Sequence, residues 1–177
     1  MIIKSFNYKF VNSTNDIAIN LIKQKNIKAG FVLAEKQKKG RGQRGKKWIS
    51  YKGNLFISIF FSLEKMNLTL KQLTKTNTKL IIKLISQYYK KNIKLKLPND
   101  ILINKKKICG ILQETIQKND NKYLIVGIGL NLIKSPKIKE YSTTNLYDLT
   151  NSKISVDKIS RELKNIYITF LKSQKVI

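Results

Sequence analysis

The sequence predicts one α+β domain spanning residues 1–177: a mixed β-sheet packed with helices. Three observations carry this. A chain of 177 residues can bury one sizeable core and is too short for two. At least five apolar runs have the length and bounding turns of strands, and three segments carry apolar residues at helical spacing. No internal repeat and no obvious linker divides the chain.

The elements follow in order. In "NSTNDIAINLIKQKN", Ser13 or Asn12 is placed to cap a helix starting near Thr14, with Ile17, Leu21 and Ile22 on one face. "AGFVLAE" reads as a buried strand that delivers the chain into a basic loop over 36–47, and "NLFISIFFSL" as a second strand. "LKQLTKTNTKLIIKLISQYYKK" is a long helix with Leu70, Leu73, Leu80, Leu84 and Tyr88 near helical spacing. "IKLKLP" alternates like a strand and stops at Pro98. "DILINKKKICGILQETI" is a hairpin turning at Asn104 to Lys106, and "KYLIVGIGLNL" one more buried strand. "SVDKISRELKNIYITFLKS" is an amphipathic helix from about Ser155.

Formal net charge is +26, from 36 Lys and Arg against 10 Asp and Glu, which raises nucleic acid, anionic membrane or phosphate-rich ligands as partners. Nearly all of that charge is lysine, since Arg41, Arg44 and Arg161 are the only arginines. The lysines are spread along the chain with many Asn and Ile, the mark of AT-rich codon usage rather than of a binding face, so no specific nucleic acid is expected. One cysteine, Cys109, excludes an intrachain disulfide, and the absence of histidine leaves no zinc cluster, so no protein-held metal is expected. With no histidine to activate it, Cys109 reads as a small core residue rather than a nucleophile. No apolar run approaches the roughly 18 residues of a membrane span. "MIIKSFNYKF" lacks the features of a signal peptide, so a soluble cytoplasmic protein with no membrane partner is expected.

The stretch "GRGQRGKKW" at 40–48 almost has the spacing of a Walker A loop, but Lys47 stands where a hydroxyl would hold magnesium, and a strand-like run follows instead of a helix. "VGIGLN" at 126–131 lacks the third glycine and the helix of a dinucleotide fingerprint. "STN" at 13–15 by itself would be a helix cap, and the polar pair Asn99 and Asp100 after Pro98 a turn. Trp48 taken alone is as readily a core aromatic as a stacking platform, and Gly110 a β-bulge.

Taken together and in order, "STN", "GRGQRGKKW", "KLPNDILINKKKICGIL" and "VGIGLN" resemble the catalytic domain of biotin protein ligases, over nearly all of the chain. That family's glycine loop typically reads GRGRxGRxW, and its second signature KWPNDxx is followed closely by K-[IL]-x-G-I-L. The resemblance implies a fold akin to class II aminoacyl-tRNA synthetase catalytic domains. It also implies a two-step ligation: biotin and ATP with Mg²⁺ give biotinyl-5'-adenylate, which a lysine of the biotin carboxyl carrier protein of acetyl-CoA carboxylase then attacks.

Residue by residue, the resemblance implies that Ser13, Thr14, Asn15 and Gln37 meet biotin, with Arg41, Gly42, Gln43 and Gly110 also on the biotin side. Gly40, Gly42 and Gly45 let backbone amides approach the mixed anhydride, while Arg41, Arg44 and Lys46 supply charge and Trp48 stacks on adenine. Lys107 touches both the biotin carboxylate and the phosphate, offsetting their repulsion. With Lys107, Arg41 and Asp100 form the catalytic set, Asp100 either orienting Lys107 or taking the proton of the acceptor amine. Lys96, Asn99 and Asn131 complete the nucleotide side, and Gly127 and Gly129 line the site.

The chain departs from the family at Gln43, where arginine is common, at Leu97 in place of tryptophan, and at Tyr51 in place of proline. Weaker retention of the adenylate is expected from Gln43, and a glycine loop crowded with cations is expected to be mobile until an anion arrives. With "STN" beginning at residue 13, the helix-turn-helix of the repressor members is not expected, and the sequence stops where many members continue into an SH3-like barrel. The family often dimerises, so a homodimer is among the assemblies implied. Lipoate and octanoate ligases or transferases are the nearest enzyme alternative, but their glycine motif contains a histidine that this chain lacks. A basic nucleic-acid-binding protein is the alternative from another class.

Overall fold

The computed structural model describes residues 3–177, in which seven strands form one sheet. In chain order the elements are β1 (Lys4–Val11), α1 (Thr14–Lys25), β2 (Ala29–Gln37), β3 (Leu55–Ser62), α2 (Leu70–Ser86), β4 (Ile93–Lys96), β5 (Asp100–Ile103), β6 (Lys106–Lys118), β7 (Asn121–Leu130), α3 (Leu146–Thr150) and α4 (Val156–Ser173). Across the sheet the order is β1-β2-β3-β7-β6-β5-β4. Only β1 and β2 run parallel, which makes the sheet mixed, as expected.

β3 is central and buried along its whole length, as its continuous apolar run requires. Leu55, Ile57, Ile59 and Phe61 meet α2 and α4 on one face, with Val126, Ile128 and Leu130 of β7 beside them. On the opposite face Val32, Phe60 and Ile125 pack under Ala18 and Ile22 of α1. α1 covers only part of that face, and the uncovered part beyond its N-terminus is where the candidate site lies.

Local signals fix the helix ends. Thr69 and Gln72 form a reciprocal capping box at the start of α2, and Ser155 Oγ accepts from Lys158 N at 3.1 Å at the start of α4. Asn26 adopts a left-handed conformation with φ 54° and ends α1. α2 stops at Ser86, short of the expected "YYKK", because Tyr88 and Tyr89 turn back onto the core and the Tyr88 hydroxyl donates to Glu162 on α4.

Two elements escape the sequence patterns. β1 is an edge strand buried only at Val11, so its alternation of Phe6 and Tyr8 with polar residues is shallow. α3 has five residues, too few for a helical period to register.

Inside the core Tyr167 is fully buried, and its hydroxyl donates to Asn77 Oδ1 at 3.1 Å while Asn77 Nδ2 donates to Gln113 Oε1 at 3.0 Å. Burial pushes the Tyr167 phenol and the Cys109 thiol well above their ordinary values, Lys107 opposing the shift of the thiol only in part. Below about pH 8.5 both groups hold their protons folded and unfolded, and contribute no pH dependence. Above that pH the unfolded chain releases protons that the folded chain keeps, so stability falls as pH rises. The contribution of these groups to the thermal midpoint is therefore expected to be flat to about pH 8.5 and to decline beyond it. Cys109→Ala should delay the decline toward about pH 10, where tyrosine begins to titrate. An identical onset in both proteins, followed by circular dichroism, would contradict this account.

Candidate active site

Strand alternation points Gly110 of β6 and Gly127 and Gly129 of β7 away from the α2–α4 core and toward the uncovered face. A Cβ on Gly127 would lie 2.4 Å from Asn15 Oδ1, and Cβ atoms on Gly110 and Gly129 would lie 2.6 and 2.3 Å from the ring of Trp48. The three glycines thus form the floor of a trough in which those two side chains lie. The room over Gly110 is taken by the indole, and the bulge that is the plain reading of this glycine sits instead at Ile108. Above the trough is a cavity of about 410 Å³, within the range of small-molecule sites. The glycine loop, the N-terminus of α1, the 96–100 segment and Tyr141 wall it.

Ser13, Thr14 and Asn15 are all buried at one end. Ser13 holds the N-cap position, yet its hydroxyl makes no capping bond and lines the cavity. Gln37 does part of the capping: its Oε1 accepts from Thr14 N at 2.9 Å and Thr14 Oγ1 at 3.1 Å. Ser58 Oγ lies 2.7 Å from Thr14 Oγ1 and 2.5 Å from Asn15 Oδ1 and, having one proton, donates to one of them at a time. Asn15 Nδ2 donates to Glu114 Oε2 at 2.7 Å. This hydrogen-bonded nest offers donors and acceptors on a rigid base.

The glycine loop is a small hairpin. Trp48 N donates to Gly40 O at 2.9 Å and Gly42 N to Lys46 O at 2.7 Å, around a 3-10 turn over Gln43–Gly45 in which Arg44 has φ 54°. Gly40 is required because a Cβ there would meet the Trp48 carbonyl at 2.6 Å. Gly42, Gln43, Arg44, Lys46 and Lys47 line the cavity mouth. Arg41 lines the cavity with them. Its guanidinium is committed to Glu114, at 2.7 and 2.8 Å, and to Asp16 at 2.8 Å, and these partners raise its pKa further, the Glu114 hydrogen bond most. With its two carboxylate partners the three formal charges sum to −1.

Lys107 occupies the other end, its side chain 15% exposed. The strand register explains how it gets there. Ile101 pairs with Cys109 but Leu102 pairs with Lys107, leaving Ile108 as the extra residue of a β-bulge. Ile108 and Cys109 both enter the core, and Lys107 turns to the cavity face with Asp100 and Leu102. Its Nζ lies 2.8 Å from Asp100 Oδ1, 5.4 Å from the centre of the Trp48 ring and 5.2 Å from that of Tyr141. The ion pair lacks the angle of a well-formed hydrogen bond, so Asp100 Oδ1 keeps acceptor capacity. Burial first, then Asp100 and Glu140, raise the Tyr141 phenol.

Lys96 and Asn99 reach the cavity wall, with Asn99 Nδ2 also donating to Ile111 O at 2.8 Å. Asn131 lies outside the main cavity, in a narrow space behind Trp48. There, among the described residues, Asn131 Oδ1 and Trp48 Nε1 are buried without partners, a cost of about 1–3 kcal/mol each. The carboxylates at the site, Asp16, Glu114 and Asp100, are each paired with a cation. Committed in this way to cations, these carboxylates do not form a ready set of ligands for a protein-held divalent ion.

Sequence reasoning missed Ser58, Asp16, Glu114 and Tyr141. Ser58 carried a faint signal, a hydroxyl in the otherwise apolar "FISIFF". The others look like ordinary surface residues until the fold brings Tyr141 to the cavity and Asp16 and Glu114 to Arg41.

The model of the biotin/lipoate A/B protein ligase family matches residues 8–131. The bifunctional ligase/repressor BirA of Escherichia coli is 30% identical over 125 residues, 69% of this chain and 38% of that protein. The biotin–[acetyl-CoA-carboxylase] ligase of Paracoccus denitrificans is 30% identical over 128 residues, 71% of this chain and 53% of that protein. The chain therefore spans about half the length, or less, of the curated relatives it matches. Among solved structures, the biotin protein ligase of Aquifex aeolicus in complex with biotin and ATP superposes with a TM-score of 0.79 at 27% identity, covering 97% of this chain and 72% of that one. That of Leishmania major in complex with biotin gives 0.78 at 25%, covering 93% and 71%. With the fold, the glycine loop and the lysine-bearing hairpin all in agreement, the chain belongs to the biotin/lipoate A/B protein ligase family.

Proposed function

We propose that this chain joins biotin to ATP as biotinyl-5'-adenylate and passes the biotinyl group to a lysine of a biotin carboxyl carrier protein. The observation that carries the reading is one cavity with two chemically different ends, a neutral nest at Thr14, Asn15, Gln37 and Ser58 and a half-buried ammonium at Lys107. The ureido ring of biotin is neutral and rich in donors and acceptors, and its carboxylate is the group that must meet ATP. A ligand spanning the two ends satisfies both.

In the first step a biotin carboxylate oxygen attacks the α-phosphorus and the bond to the β-phosphate breaks, releasing pyrophosphate, with Mg²⁺ entering on ATP. Lys107 sits where it offsets the repulsion between carboxylate and phosphate and stabilises the charge that develops. Asp100, 2.8 Å from the ammonium, supports the role of orienting it. Trp48 presents an indole face for adenine, with Asn131 Oδ1 behind it as an unused acceptor. In the second step the acceptor amine attacks the acyl carbon and AMP leaves. The cations at the mouth, Arg44, Lys46, Lys47 and Lys96, are exposed and carry the positive charge that Arg41 does not.

Biotin-dependent exchange of pyrophosphate into ATP tests this reading directly. Lys107→Ala is expected to slow the exchange by about 10²-fold or more. Exchange at the wild-type rate would remove Lys107 from the chemistry, and none in the parent protein would remove the proposed activity.

The trough makes a second test. Gly129→Ala forces the Trp48 ring to move and is expected to raise KM for ATP by about tenfold or more, with a smaller effect on biotin. Gly127→Ala presses instead on Asn15 Oδ1, and the larger rise should then be in KM for biotin. Steady-state kinetics of both variants decide it: indistinguishable profiles would contradict the assignment of the two ends.

A further inference from the structure

Glu114 belongs to none of the sequence motifs, yet it is where three elements of the site meet. Its side chain, on β6 and 25% exposed, accepts from Arg41 Nη1 at 2.7 Å and Arg41 Nη2 at 2.8 Å, a two-pronged fork, and from Asn15 Nδ2 at 2.7 Å. Asp16, on the first turn of α1, takes a further bond from Arg41 Nη2 at 2.8 Å. Sheet, helix and glycine loop are thereby tied through one carboxylate.

Two consequences follow from the chemistry of the groups. An ionised carboxylate only accepts, so Glu114 fixes the Asn15 amide with Nδ2 toward itself and Oδ1 toward the Ser58 hydroxyl. A guanidinium in a planar fork is held in direction as well as distance, so Arg41 restrains the backbone that carries it. The hairpin bonds of Gly42 and Trp48 run within the loop, and those of Lys38 and Lys39 to Val11 and Asn12 anchor only its base. The Arg41 side chain ties the upper part of the loop to the body.

Resting on the proposed function, we propose that Glu114 is a positioning residue: through Arg41 it holds the glycine loop down on the N-terminus of α1, and through Asn15 it sets the face that meets biotin. Arg41 then acts as the loop's fastener rather than as a ligand for the phosphate. Its effect falls on how tightly biotin and its adenylate are held.

Glu114→Gln tests this, since it keeps the size of the side chain and an acceptor for Asn15 but turns an amide NH₂ toward the guanidinium. Hydrogen exchange of the unliganded protein is expected to show the Gly42 and Trp48 amides exchanging about tenfold faster or more, with the β6–β7 amides unchanged. In turnover, KM for biotin and the dissociation rate of the adenylate should rise together by about tenfold, with a smaller change in kcat. Glu114→Asp, which keeps the charge, should recover part of both effects, which a merely space-filling role would not. Should the glutamine variant misfold, Arg41→Lys keeps the charge, loses the fork and gives the same exchange readout. Unchanged loop exchange overturns the proposal, as does a fall in kcat at constant KM, which would put these groups at the reacting atoms. A parent protein that makes no adenylate defeats the proposed function alone, and the exchange measurement still decides the role of Glu114.

Discussion

On the face of β6 and β7 that looks away from α2 and α4, Gly110, Gly127 and Gly129 leave the sheet bare, and the depth of that trough governs what the site can hold. Cβ contacts of 2.3–2.6 Å at these positions would drive Trp48 and Asn15 off the backbone. The absence of three methyl groups therefore does more for the cavity than any single contact in it. Its cost in backbone entropy falls on β6 and β7, whose neighbouring residues Cys109, Ile111, Val126, Ile128 and Leu130 are buried on the opposite face.

Charge is then distributed unevenly over the trough. At the α1 end, Arg41 stands between Glu114 and Asp16, so that three charges sum to −1 and favour the neutral part of a ligand. At the other end Lys107 and Asp100 cancel formally, but the ammonium is also flanked by the faces of Trp48 and Tyr141. The exposed cations of the loop act at longer range, and salt within about 10 Å screens them at 0.1 M. Distant lysines, most of the net charge of +26, have little effect on the reacting atoms.

How much of this the sequence carried depends on the range over which each feature is encoded. The central strands, the three long helices and the hairpin after Pro98 were legible because each rests on a local apolar period. β1 was not, since an edge strand buried at one residue leaves a weak pattern. The cavity residues were legible where they fall in contiguous motifs, as in 40–48 and 96–110. Glu114 and Asp16 were illegible for the opposite reason: Arg41 meets them across 73 and 25 residues, and each by itself is an ordinary polar side chain. Their partnership exists only once β6 has been laid beside β7 and α1 across both.

The same limit applies most sharply to Lys107. In a regular strand Lys107, Cys109 and Ile111 would share a face, and Cys109 and Ile111 are buried in the α2–α4 core. A strand without the bulge would either bury the ammonium in that core or turn the two apolar residues out to the cavity. The extra residue at Ile108 removes the conflict by letting Ile108 and Cys109 both point inward. Thr144 N donates to Lys107 O at 2.9 Å and Lys107 N to Ser142 O at 2.9 Å, so the segment after β7 takes up backbone groups that the irregular strand presents. That pairing also brings Tyr141 over the ammonium. One inserted residue thus sets both the direction of the lysine and the aromatic surface beside it, a dependence that no pattern of residue types in "KKKICGIL" expresses.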